Sequence, residues 1–163
     1  MRVFYVHHAY RDKGFPPSQN DGLKPLGVED AKIVSQIFED ASNKIKIKAI
    51  YTSPFFRCAE TARIINTKLN VPIYEEVRFN EMGSVPGETW LQFQQRNIQA
   101  IKDIVLNSND NDAVICVTSG VNLTAFICAS YNIKPSGILP YPIVPSCSPI
   151  GLEISKEYFL KDY

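Results

Sequence analysis

Strand and helix signals that alternate along the chain predict an α/β fold: a three-layer α/β/α sandwich, mainly parallel sheet with helices on both faces. Three observations carry that expectation. Residues 2–6 form a β-favouring run that stops at polar and turn-forming residues. Residues 113–118, Ala-Val-Ile-Cys-Val-Thr, are almost continuously apolar, as expected of a central strand buried on both faces. Between them, apolar residues recur at helical spacing on several segments.

Each element has its own signal. From Gly27 onward, Val28, Ala31, Val34, Ile37, Phe38 and Ala41 share one helical face. Ile45, Ile47 and Ala49 alternate with Lys46 and Lys48 and continue into Ile50 and Tyr51, which predicts a strand. It breaks at Ser53-Pro54, and Phe55, Ala59, Ala62, Ile65 and Leu69 mark a second helix. Residues 71–77 read as a short strand that tolerates Pro72 only near its start. A Gly- and Pro-containing loop, 82–87, precedes a helix marked by Trp90, Phe93, Asn97, Ile101, Ile104 and Val105, with Trp90 and Phe93 as core. After the strand at 113–118, Ser119-Gly120 punctuates and residues 121–131 resume as an apolar helix. The segment 135–149 holds five prolines and predicts a rigid irregular connection. Residues 150–154 predict a last strand. With no repeat or linker in view, residues 1–163 read as one domain.

Composition narrows the function. Hydrophobic residues make up 45% and charged residues 21% of 163, and Lys plus Arg equals Asp plus Glu at 17 each. A formally neutral chain lacks the basic excess that general nucleic-acid or anionic-membrane binding needs, so neither partner is expected. Anion specificity must then come from a local pocket. No signal-peptide pattern or long apolar span is visible, and the expected location is cytoplasmic. The oligomeric state is open. Cys58, Cys116, Cys128 and Cys147 form no C-x-x-C pair, so buried reduced thiols are expected and no metal site or cofactor is. Dinucleotide and P-loop fingerprints are absent.

Ligands of parallel sheets bind at the carboxyl ends of strands. Here those ends follow Val6, Tyr51 and Val117, and each carries unusual chemistry. The first reads His7-His8-Ala9-Tyr10-Arg11, the second Thr52-Ser53-Pro54-Phe55-Phe56-Arg57-Cys58-Ala59-Glu60-Thr61-Ala62, and the third Thr118-Ser119-Gly120. Between the first two lies Leu23-Lys24-Pro25-Leu26-Gly27-Val28-Glu29-Asp30-Ala31.

This series resembles the histidine phosphatase (phosphoglycerate mutase-like) superfamily. Its members open with strand-R-H-G, continue with L-T-x-x-G-x-x-Q-A, and then show S-P-x-x-R-x-x-x-T-A. Phe79-Asn80-Glu81 is similar to the family's L-N-E, whose glutamate donates a proton. The ordered matches run from residue 2 to about residue 154. The resemblance implies a phosphoglycerate mutase-like fold with His8 as nucleophile, Arg57 as phosphate ligand and Glu81 as acid. Two departures stand out. His7 replaces the arginine of R-H-G, and Ser119 stands where a second histidine belongs; with only two histidines in the chain, no other can serve.

The chemistry explains why these residue types belong together. A phosphomonoester dianion needs a neutral imidazole as nucleophile, cationic or hydrogen-bonding groups on its equatorial oxygens, and an acid for the departing alkoxide. His8, Arg57 and Glu81 fit those roles. His7 donates to phosphate only when its outward nitrogen carries a proton. Ser119 offers a neutral hydroxyl, beside the amides of a helix start. Arg11, three residues beyond His8, is a candidate replacement for the charge lost at His7; the alternative is an exposed loop arginine. Glu88 is a rival to Glu81 as the acid.

Two functions stay open. One is a phosphohydrolase working through a phosphohistidine on His8. The other is a weak or inactive pseudophosphatase that binds a phosphorylated small molecule or phosphoprotein. Two uncompensated donor losses cost about 10⁴–10⁶ in rate, against enhancements of phosphate-monoester hydrolysis that approach ~10²¹. A mutase is disfavoured, since the chain has no long insertion to build a water-excluding lid.

Overall fold

The computed structural model describes residues 1–12, 18–130 and 145–160. Its elements run β1 (Arg2–His7), α1 (Pro25–Asp40), β2 (Ile47–Thr52), α2 (Phe56–Leu69), β3 (Ile73–Glu75), a 3-10 turn (Val77–Phe79), α3 (Trp90–Leu106), β4 (Ala113–Thr118), α4 (Gly120–Ser130), β5 (Pro149–Glu153) and α5 (Lys156–Leu160). The strands form one sheet in the order β3-β2-β4-β1-β5. Only β5 is antiparallel, along β1. The central place of β4 accounts for its composition, because all six of its residues are buried.

Helices cover both faces. On one side Ala31, Val34 and Phe38 of α1 and Cys58, Ala62 and Ile65 of α2 pack on Val6, Ile50, Ile115 and Val117. On the other, Ile101, Ile104 and Val105 of α3 and Leu123 and Phe126 of α4 pack on Val3, Tyr5, Val114 and Cys116. The alternation of sheet residues between two cores is the period-2 rule of a strand read out twice.

The helix starts follow local chemistry. Pro25 occupies the first turn of α1, where a missing N–H costs nothing. Thr89 and Gln92 form a reciprocal capping box on α3. One expectation is corrected. The strand foreseen at 71–77 ends at Glu75, because the Glu76 carboxylate accepts from the Arg78 backbone N–H and turns the chain into the 3-10 turn. That turn aims the following residues across the sheet ends. The sequence pattern did not announce α5. Of the proline-rich segment 135–149, residues 135–144 lie outside the described residues, as does Tyr131. No described helix is long and apolar enough to cross a membrane.

Candidate active site

Three strand ends meet. His7 stands opposite Thr118 in the parallel ladder, the His8 N–H donates to the Thr118 carbonyl at 2.8 Å, and the Ser53 N–H donates to Val117 at 3.0 Å. The loop after β1 is pinned from two sides. Thr61, one helical turn beyond Arg57, donates to the Arg57 carbonyl at 2.7 Å and accepts from the Ala9 N–H at 3.0 Å. The threonine of the S-P-x-x-R-x-x-x-T-A pattern therefore ties the histidine loop to the arginine helix. Glu60 accepts from the Leu23 N–H at 2.8 Å. Gly27 lets α1 close on the same loop, since a Cβ there would lie 2.2 Å from the Tyr10 carbonyl oxygen, inside any allowed contact.

His8 is buried, with 6% exposure. Its Nδ1 lies 2.9 Å from the Ala9 carbonyl oxygen, which can only accept, so Nδ1 carries the proton. Its Nε2 faces the Arg57 Nε–H at 3.2 Å, which can only donate. The two neighbours fix one neutral tautomer with its lone pair on Nε2. Burial above all, then the charge of His7, and further Arg57 and Arg11, depress its pKa to about 3; the Ala9 contact opposes them.

That depression has a measurable consequence. Unfolded, the imidazole titrates near ~6.5; folded, near about 3. Below 6.5 the unfolded chain takes a proton that the folded chain refuses. The His8 contribution is therefore intact above 6.5 and lost as pH falls toward about 3, at about 1.4 kcal/mol per pH unit. In urea unfolding, the stability difference between wild type and His8→Gln should shift against wild type by about 1.4 kcal/mol from pH 7.5 to pH 5.5. A difference constant over that range would contradict a buried neutral His8.

Arg57 is almost fully buried, and its guanidinium lies 4.8 Å from the Phe55 ring centroid. Besides His8 it donates to Glu81 Oε2 at 2.6 Å and to the Ser18 carbonyl at 3.4 Å. The structure thus brings His8, Arg57 and Glu81 together. Arg57 and Glu81 line a cavity of about 210 Å³ with Arg11, Ser18, Phe55 and Ser84. His8 is not in that wall; Arg57 stands at its Nε2. A larger concavity, about 570 Å³, opens around Arg2, Lys46, Asp112 and Glu153 at the amino ends of the strands, away from these residues.

The other candidates divide. Arg11 is in the cavity wall, and its Nη1 pairs with Asp21 at 2.8 Å, so it is no exposed loop arginine. The His7 ring lies 4.5 Å from that of His8 and against Gly120, at the start of α4. Glu88 is turned away: its buried carboxylate takes two bonds from Arg96, at 2.5 and 2.9 Å. Ser119 is buried behind the site. Its hydroxyl donates to Asn122 Oδ1 at 2.5 Å, which spends its single proton away from the cavity. Among the described residues no group of three His, Cys, Asp or Glu side chains is set to hold a metal ion.

Behind the site runs a polar network that the sequence reading did not assign. Asn122 donates to Asn97 Oδ1 at 2.6 Å and to the Phe79 carbonyl at 3.2 Å. Thr118 donates to the Phe79 carbonyl at 2.8 Å, and Ser53 donates to Asn80 Oδ1 at 2.7 Å. A signal existed: Asn97 sits on the apolar face of its helix, and a buried amide there must have partners.

The comparisons with known proteins point to one family. The family profile described as "Histidine phosphatase superfamily (branch 1)" matches residues 11–85 and 81–161. "Putative phosphoserine phosphatase 2" of Hydrogenobacter thermophilus is 31% identical over 112 residues, 65% of this chain and 51% of that protein. The chain thus spans about half the length of the curated relative it matches. Among solved structures, Bacillus stearothermophilus YhfR superimposes with a TM-score of 0.79 at 21% identity, covering 94% of this chain and 91% of that one. The phosphoserine phosphatase of Entamoeba histolytica, in complex with 3-phosphoglyceric acid, gives 0.73 at 16% identity, over 92% and 89%. The protein histidine phosphatase SixA, complexed with tungstate, gives 0.71 at 12% identity, over 97% and 91%. With the family profile covering most of its length, the chain belongs to the histidine phosphatase superfamily, branch 1.

Proposed function

We propose that the protein is a phosphomonoesterase that works through a phosphohistidine on His8. The observation that carries this reading is the fixed tautomer of His8. Its Nδ1–H is held by the Ala9 carbonyl, its Nε2 carries the lone pair and accepts from Arg57, and Arg57 in turn holds Glu81. The name of the curated relative also favours a phosphomonoester substrate, on a small molecule or a phosphoprotein.

The phosphate enters where Glu81 now meets Arg57. A dianion draws the guanidinium off His8 Nε2 and off the carboxylate, because two charge-assisted bonds to phosphate replace the ones given up. Nε2 attacks phosphorus as the ester P–O bond breaks. The Glu81 carboxylate, released from Arg57, takes up a proton from solvent as the substrate binds, gives it to the departing alkoxide and is a carboxylate again. In the second half Glu81 takes a proton from water, the water oxygen attacks the phosphohistidine, and phosphate leaves with His8 and the acid restored. Arg11, in the cavity wall, supplies charge that the substituted pocket otherwise lacks, and His7 stands beside His8 as a further ligand for the anion. Ser119 serves the loop behind the acid rather than the anion.

The test is hydrolysis of a broad phosphomonoester panel, with vanadate as competitor. Turnover suppressed by vanadate is expected. The pseudophosphatase reading keeps one supporting observation, the mutual 2.6 Å hold of Arg57 and Glu81 across the anion position. Vanadate binding without turnover of any ester would establish that reading instead.

A further inference from the structure

We propose that Arg96 is a positioning residue for the proton donor, holding the backbone that carries Glu81 through the carbonyl oxygens of Arg78, Asn80 and Glu81. The inference rests on the reading of Glu81 as the acid. Arg96 comes from α3, and its guanidinium uses all five of its N–H groups. Nε and one Nη2 hydrogen go to the two Glu88 oxygens, at 2.5 and 2.9 Å. Nη1 donates to the Arg78 and Asn80 carbonyls at 2.5 and 2.7 Å, and Nη2 reaches the Glu81 carbonyl at 3.4 Å. The plane lies 4.7 Å from the Phe93 ring centroid.

This arrangement does something the rest of the network does not. Thr118, Asn122 and Ser53 hold Phe79 and Asn80. Arg96 alone among these side chains also touches Glu81. Glu81 follows a short 3-10 turn and lies on irregular backbone, where a side chain has no helix or strand to fix it. Glu88 completes the device. Its buried carboxylate neutralises the guanidinium and orients the fork, so that the remaining hydrogens point at the Arg78, Asn80 and Glu81 carbonyls. Lysine has three donors and no fork, so it cannot make these bonds together.

An acid matters only when the leaving group needs its proton. 4-Nitrophenolate departs unprotonated; a primary alkoxide does not. We expect Arg96→Lys to lose about 10²-fold on an alkyl phosphate and less than about tenfold on 4-nitrophenyl phosphate, with vanadate affinity unchanged. Glu81→Gln should show the same selectivity, and adding Arg96→Lys to it should cost nothing more on the alkyl ester. The pair Glu88→Gln with Arg96→Gln removes the buried charges as a unit and should repeat the pattern, which covers failure of Arg96→Lys to fold. Equal losses on both esters, or a matching loss of vanadate affinity, would mean that Arg96 only supports the fold and would overturn the proposal. A wild type inactive on both esters would overturn the phosphatase reading, and the acid-positioning role with it.

Discussion

His8→Ala should lower phosphomonoester turnover by about 10⁴–10⁶-fold, the scale on which removal of an essential nucleophile acts. Labelled phosphate should be trapped on wild type as an adduct stable to alkali and lost in acid, and should be missing from the variant. The expectation follows from the tautomer. Only an imidazole whose other nitrogen is already committed presents its lone pair in one direction, and the Ala9 carbonyl makes that commitment at 2.9 Å. The expected loss assigns the attack to His8 and not to His7, whose ring lies 4.5 Å away against Gly120. The truncated side chain leaves a buried space, so added imidazole should restore part of the activity of His8→Ala. Equal turnover by wild type and variant would remove His8 from the mechanism.

Why so much of this arrangement was readable follows from periodicity. Two-sided burial makes β4 apolar at every position, and one-sided packing gives α1, α2 and α3 their stripes, so the sheet and its layers were legible. The strand-end rule then placed His8 and Arg57 together before any geometry was known. What stayed hidden depends on directions that spacing does not encode. Glu81 and Glu88 are equally plausible acids as letters. They differ because Arg96 turns one inward and Arg57 holds the other at the cavity. Ser119 looked like a phosphate donor by its place at the end of β4, yet its one proton goes to Asn122. Arg11 could be suspected from its distance to His8, but its pairing with Asp21 joins residues ten apart across a loop. The switch from strand to 3-10 turn at Glu76 rests on its carboxylate, which accepts from the backbone N–H and the guanidinium of Arg78.

Arg57→Lys should reduce kcat/KM by about 10²–10³-fold and weaken vanadate binding with it, although the charge is kept. The guanidinium meets three partners at once: His8 Nε2 through Nε, Glu81 through Nη2 and the Ser18 carbonyl through Nη1. Its fork can trade the first two for two phosphate oxygens. An ammonium is a point charge and cannot make that exchange as a fork. The buried position also costs more with lysine, whose ammonium is more strongly hydrated. A second effect carries a sign. Arg57 is one of the charges that hold the His8 pKa low, so Arg57→Gln should raise it from about 3 toward the ordinary imidazole range. The acid limb that reports His8 protonation then moves to higher pH in the glutamine variant, which is observable by NMR titration of His8 Cε1–H. In wild type that resonance should not titrate between pH 5 and 8. Full activity and unchanged vanadate affinity in Arg57→Lys would show that charge alone suffices at this position, and that the forked exchange between Glu81 and phosphate is not how the anion enters.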